Sequence, residues 1–131
     1  MDKKIRSRFL ALYCMVLADG VVEAAELEQL YRIGRETYGI SADEITACVR
    51  DAGTSFEWPD SMEERIGLLY EMALIASADG DIDPTERQLL SRYVVRCGFD
   101  ETYAGTIADF LLECAKQNLT KEQVVEEALK L

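Results

Sequence analysis

The sequence predicts an all-α fold, a single helical bundle of about seven helices, on three observations. Apolar residues recur at three- and four-residue steps along most of the chain, with no stretch that reads as a strand. Helix start signals of the Ser/Thr-x-x-Glu/Gln kind, or an Asp-Pro pair, open most of these stretches. A short acidic turn occurs twice, as Ala18-Asp19-Gly20-Val21-Val22-Glu23-Ala24-Ala25-Glu26 and, sixty residues later, as Ala78-Asp79-Gly80-Asp81-Ile82-Asp83-Pro84-Thr85-Glu86. The same offset aligns Leu30 with Leu90 and Arg32 with Arg92, which points to duplication. The expected organisation is one domain over 1–131, with pseudo-symmetric helix-hinge-helix halves at about 3–52 and 61–117 and a terminal helix at 121–131.

From Ile5 to Ala18 the residues become apolar nearly all round after Phe9, which predicts a helix in the middle of the bundle that ends at Asp19-Gly20. Glu23 to Tyr38 is its amphipathic partner, with Leu27, Leu30, Tyr31, Gly34 and Tyr38 on one side and Gly39 as the C-terminal glycine. Ser41 and Glu44 form a capping box, Ile40 is placed to staple onto Ile45, and a third helix is expected to about Ala52 with Ile45, Cys48, Val49 and Ala52 inward. Gly53 to Asp60 reads as the linker between the halves, anchored on the core by Trp58.

Ser61 and Glu64 make a second box, opening a helix to Ala78 whose latter half is again almost entirely apolar. Its Gly67 is placed to let another helix approach closely. Asp83 as N-cap with Pro84 at the first helical position starts the next helix, which carries Leu89, Leu90, Tyr93, Val94 and Cys97 inward and ends at Gly98. Asp100 is expected to cap a sixth helix with Tyr103, Ile107, Phe110, Leu111 and Cys114 inward, and Thr120 with Gln123 a seventh. The segments Phe9 to Ala18 and Leu68 to Ala78 are expected to be the two most buried and to pack on each other.

Composition limits function. Acids outnumber bases by 25 to 14 in 131 residues, a formal charge of -11, which argues against nucleic-acid binding and favours a cationic protein partner or metal ions. The chain has no histidine, so the usual general base, the Ser/His and Cys/His nucleophile pairs and the commonest zinc ligand are all missing, and no enzymatic activity is expected. Cys14, Cys48, Cys97 and Cys114 form no C-x-x-C pair and read as buried free thiols of a reducing compartment. With no signal-peptide pattern and no apolar run long enough to span a bilayer, a cytoplasmic protein without direct membrane insertion is expected.

The two turns offer oxygen ligands: Asp19, Glu23 and Glu26 in the first, Asp79, Asp81, Asp83 and Glu86 in the second, suited to calcium, magnesium or manganese. Asp19 and Asp79 follow helix C-termini, where unpaired carbonyls disfavour a carboxylate unless a cation or donor relieves it. The competing reading makes the same residues structural. Asp83 and Glu86 cap their helix, Glu23 and Glu26 sit in the first turn of theirs, and Asp19 and Asp79 close Asx-type turns, leaving Asp81 alone without a local role. Asp79, Gly80, Ile82 and Glu86 fit positions five, six, eight and twelve of an EF-hand loop, but Ile75 and Ser77 stand at positions one and three, so the loop is not an EF-hand.

The repeated turn, with Leu74-Ile75-Ala76-Ser77 before its second copy and Leu17 before its first, resembles the TerB-like family of tellurite-resistance proteins and the N-terminal domain of a membrane-anchored DnaJ-type co-chaperone. The resemblance implies an all-helical bundle of two pseudo-symmetric halves, no enzymatic activity, and a role in sensing or chelating metal ions within stress-response complexes. The expected function is a non-catalytic helical module that binds divalent cations at its acidic turns. The alternative is an interaction scaffold with an acidic surface and purely structural turns.

Overall fold

The computed structural model describes residues 2–18, 20–51, 53 and 55–130. Among them are seven α-helices and no strand: α1 (Lys3–Val16), α2 (Ala24–Ile33), α3 (Ala42–Arg50), α4 (Met62–Ala76), α5 (Pro84–Cys97), α6 (Ala104–Lys116) and α7 (Lys121–Ala128). None of the described helices is long and apolar enough to cross a membrane. Helix α4 is the centre of the bundle, packed against α1, α2, α5, α6 and α7. Its residues Ile66 through Ala73, with Ile75 and Ala76, are all buried. An apolar run with neighbours on every side has no reason to keep a polar face, and this one keeps almost none.

The local start signals act largely as the sequence predicts. Ser41 and Thr120 form complete capping boxes with Glu44 and Gln123, and Asp83 accepts from the Thr85 amide with Pro84 at the first position of α5. At Ser61 only half of the box is made: its hydroxyl accepts from the Glu64 amide. Asp2 supplies a cap that the expected helix start at Ile5 missed, accepting from the amides of Lys4 and Ile5, so α1 begins at Lys3. Helix α3 stops at Arg50; of its expected inward residues Ile45 and Cys48 are buried, Val49 is half-buried, and Ala52 lies outside the described residues.

Helix α2 does not run unbroken to Tyr38. Gly34–Tyr38 forms a π-helical turn, closed by Gly39 at φ +66°, whose amide reaches back to the Gly34 carbonyl. Gly34 is needed there for space as well, because a Cβ would lie 2.6 Å from Cδ1 of Ile45. The linker is well anchored: Phe56, Trp58 and Tyr93 meet edge to face at centroid distances of 5.1 to 6.2 Å, and the Ser7 hydroxyl both donates to the Glu57 carbonyl and accepts from its amide.

Four expectations are corrected. Helix α6 buries seven of its thirteen residues against six of fourteen in α1, so α1 packs on α4 but is not the second most buried helix. Cys14 is exposed, because α1 is covered by α2, α3 and α4 and leaves Cys14 and Leu17 on its outer side; the other three cysteines are buried. Tyr103 is 61 % exposed, since Asp100 caps a 3-10 turn at Glu101–Tyr103 rather than an α-helix, and the tighter winding shifts its direction. Leu74 is only half-buried, the one break in the buried run of α4.

The difference along α4 can be measured. Leu69→Ala, at a fully buried position, is expected to destabilise the fold by about 2 to 5 kcal/mol. Leu74→Ala should cost clearly less, since less apolar surface leaves water there on folding. Urea denaturation of the two variants against wild type reads both values, and equal losses would contradict this account of α4.

Candidate functional site

The two acidic hinges are built alike. In the first, the Ala18 amide donates to the Met15 carbonyl and the Gly20 amide to Leu17, with Gly20 at φ +81°. In the second, the Ala78 amide donates to Ile75 and the Gly80 amide to Ser77, with Gly80 at φ +88°. Both glycines occupy the left-handed region that reverses the chain after a helix. Glu23 and Asp83 stand at the N-cap positions of α2 and α5, and Glu26 and Glu86 three residues on.

What the acids do differs from residue to residue. Asp79 accepts from the Asp81 amide at 3.0 Å, an Asx turn, and Asp83 accepts from the Thr85 amide at 2.7 Å as helix cap. Glu23 makes no side-chain cap bond. Glu26 and Glu86 are buried, 0 % and 2 % exposed, each in the first turn of a helix whose amide dipoles favour negative charge. Asp81 is exposed, and Asp19 lies outside the described residues. Among the described residues, no three His, Cys, Asp or Glu side chains are grouped as a metal ion would require. The two glutamates are thus withdrawn from water, while Asp79 and Asp81 are exposed to it.

A second polar centre lies elsewhere, and no motif pointed to it. Glu71, in the middle of α4, is 2 % exposed. Its carboxylate accepts from Arg8 Nε of α1 at 2.8 Å and from the Tyr38 hydroxyl of the π turn at 2.8 Å, and Lys121 Nζ of α7 stands 3.6 Å away. Arg8 Nε also lies 2.5 Å from the Tyr38 oxygen, and both cations sit over the Tyr38 ring, at 5.5 and 5.2 Å from its centroid. Burial and the neighbouring Glu71 carboxylate push the Tyr38 hydroxyl well above the ordinary tyrosine range. Gly67, one turn before Glu71, leaves the room this needs: a Cβ there would meet Lys121 Cδ at 3.2 Å and an Arg8 guanidinium nitrogen at 3.5 Å. The one sequence signal was Glu71 itself, an acid inside an apolar run.

Beside this centre a groove of about 480 Å³ runs between the first turns of α4 and the outer side of α7. Gly67, Val125 and Leu129 give it an apolar lining, and Glu63, Glu64, Glu122 and Glu126 bring carboxylates to it. Comparison with known proteins gives no match: no family model, no curated protein and no solved structure is similar to the chain.

Two measurements test the Glu71 centre. Glu71→Gln should cost about 3 to 5 kcal/mol by leaving Arg8 and Lys121 without their buried counter-charge, whereas Asp109→Asn, in the exposed pair with Arg87, should cost less than about 1 kcal/mol. Because the folded Tyr38 holds its proton more tightly than the unfolded chain does, its contribution is complete below about pH 10 and is lost as pH rises further. Denaturation at pH 9 and pH 11 should show a smaller alkaline loss in Tyr38→Phe than in wild type; equal losses would remove Tyr38 from the account.

Proposed function

We propose that this chain is a non-catalytic, TerB-like helical module of two pseudo-symmetric halves, which acts by docking a basic protein partner on its acidic surface. The observation that carries this reading is the local commitment of the hinge acids. Asp79 and Asp83 are engaged in a turn and a cap, and Glu26 and Glu86 are buried at helix starts. Hinges used for structure leave the excess of exposed acids, in a chain of formal charge -11, as the feature directed at other molecules. The likeness of the two hinges supports the duplication: their glycines share a conformation, their amides share the same backbone acceptors in register, and Leu30 and Leu90 are both fully buried.

A second reading keeps a divalent cation at the second hinge. It is favoured by Asp81, whose carboxylate is exposed and, among the described residues, makes no hydrogen bond or ion pair, so it is available as a ligand beside Asp79. The two readings separate in melting curves. Asp83→Ala should destabilise by about 0.5 to 2 kcal/mol with chelator or with metal, because it removes a cap. Asp81→Asn should leave the metal-free protein unchanged. If millimolar calcium, magnesium or manganese raises the melting temperature of wild type and not of Asp81→Asn, the cation reading holds; if both respond alike, the turn is structural.

The docking reading is tested by using the chain as bait at low and at high salt. Basic proteins retained at low ionic strength and released by salt are the expected result, since attraction between exposed charges is screened. Retention of no basic protein would overturn it.

A further inference from the structure

We propose that the groove between α4 and α7 is the docking site for a short cationic amphipathic helix of a protein partner. The inference rests on the reading of the chain as an acidic interaction module and gives that reading a place and a ligand chemistry. The groove has an apolar lining, with Leu129 49 % exposed and Val125 half-buried, so two large side chains stay partly in water at the surface of a short helix. Helix α7 itself is held by its other side, through the buried Val124 and Ala128. The face that carries Val125 and Leu129 is therefore not consumed by packing inside the molecule.

Charge decides what fits over that apolar strip. Glu63 and Glu64 on α4 and Glu122 and Glu126 on α7 are exposed, and none of their carboxylates has an ion pair or hydrogen bond among the described residues. The two cations that also line the groove, Arg8 and Lys121, are turned onto Glu71 and Tyr38, and with that buried carboxylate counted the site still holds three more negative charges than positive. Four like charges flanking an apolar strip are relieved by lysine or arginine on a ligand whose leucine-like side chains enter the strip. A helix meets the requirement compactly, placing apolar groups at i, i+3 and i+4 toward the groove and cations to either side. An anionic membrane surface or a nucleic acid would meet the same carboxylates with repulsion.

The probe is a fluorescently labelled 14-residue peptide of leucine and lysine in amphipathic helical order, followed by anisotropy at low salt. Two controls share its length: one with glutamate in place of lysine, and one with serine in place of leucine. Binding of the leucine–lysine peptide, with at least about tenfold weaker binding of each control, is the expected result for a site that needs both terms. Glu122→Lys with Glu126→Lys should weaken binding by about tenfold or more, whereas Glu28→Lys with Glu101→Lys, exposed acids away from the groove, changes net charge equally and should weaken it far less. Leu129→Ser, at the exposed residue just after α7, separates the apolar contribution, and unchanged melting temperatures show that the variants fold. Equal weakening by the two charge-reversed pairs, or binding as tight by the serine control, would overturn the groove. So would a wild-type protein whose groove is closed by a second copy, seen as a dimer that Leu129→Ser dissociates. Basic proteins retained as well by the Glu122→Lys, Glu126→Lys bait as by wild type would reject the groove and leave the wider docking reading standing; no basic protein retained by either would reject both.

Discussion

A carboxylate in the middle of the most buried helix is the constraint around which the bundle is arranged. Glu71 sits on α4 among residues that are apolar and inaccessible to water, and an isolated charge there would be prohibitively costly. Its counter-charges come from far along the chain: Arg8 on α1, Lys121 on α7, and between them the hydroxyl of Tyr38. Satisfying one residue thus fixes the placement of three other elements against α4. A hydrophobic core tolerates sliding of one helix on another more readily than a set of directed bonds does, so this centre specifies the arrangement even where it adds little net stability.

The other polar bonds of the interior repeat the pattern on a smaller scale. Tyr70 is buried, and its hydroxyl donates to the Leu119 carbonyl at 2.6 Å, with the Cys114 carbonyl 3.3 Å away, which ties α4 to the end of α6 and to the turn before α7. That burial raises the Tyr70 hydroxyl to about 12. Arg65 donates to the carbonyls of Pro59 and Cys97 and closes the opposite end of α4 over the linker and the end of α5. Adjacent residues Tyr70 and Glu71 bind on different sides of the same helix, which is possible only for an element surrounded by neighbours.

Much of the fold was legible in the sequence because its signals are local. A serine or threonine three residues before an acid or amide, a proline after aspartate, and a glycine at a helix end act within one turn, and they place Ser41, Thr120, Asp83, Gly39 and Gly98 where the structure has them. The failures at Cys14 and Leu74 share a cause: apolar periodicity tells which face of a helix is apolar and says little about how completely the neighbours cover it, whereas Tyr103 failed because its turn is 3-10 and not α. The Glu71 centre was invisible for a different reason. Its members are separated by 30 to 83 residues along the chain in their hydrogen bonds, and no spacing rule links them. The hinge acids were legible as residues but not as roles, since a carboxylate that caps, one that closes a turn and one that is withdrawn from water read alike as Asp or Glu.

The π turn at Gly34–Tyr38 has a consequence for how this chain tolerates changes in length. Such a turn holds one residue more than the α-helix it interrupts, and each residue of an α-helix advances the side-chain direction by about a hundred degrees. Winding the same residues as regular α-helix would therefore improve the local geometry while turning Tyr38 off the line to Glu71 and Arg8, whereas deleting one residue between Arg35 and Thr37 would restore regular winding with Tyr38 near its present direction. The segment is under two opposed demands, one from the backbone and one from the distant carboxylate. The wider turn lets the second prevail by taking up the surplus residue, so this stretch can lose one residue without moving the side chain that the buried carboxylate needs.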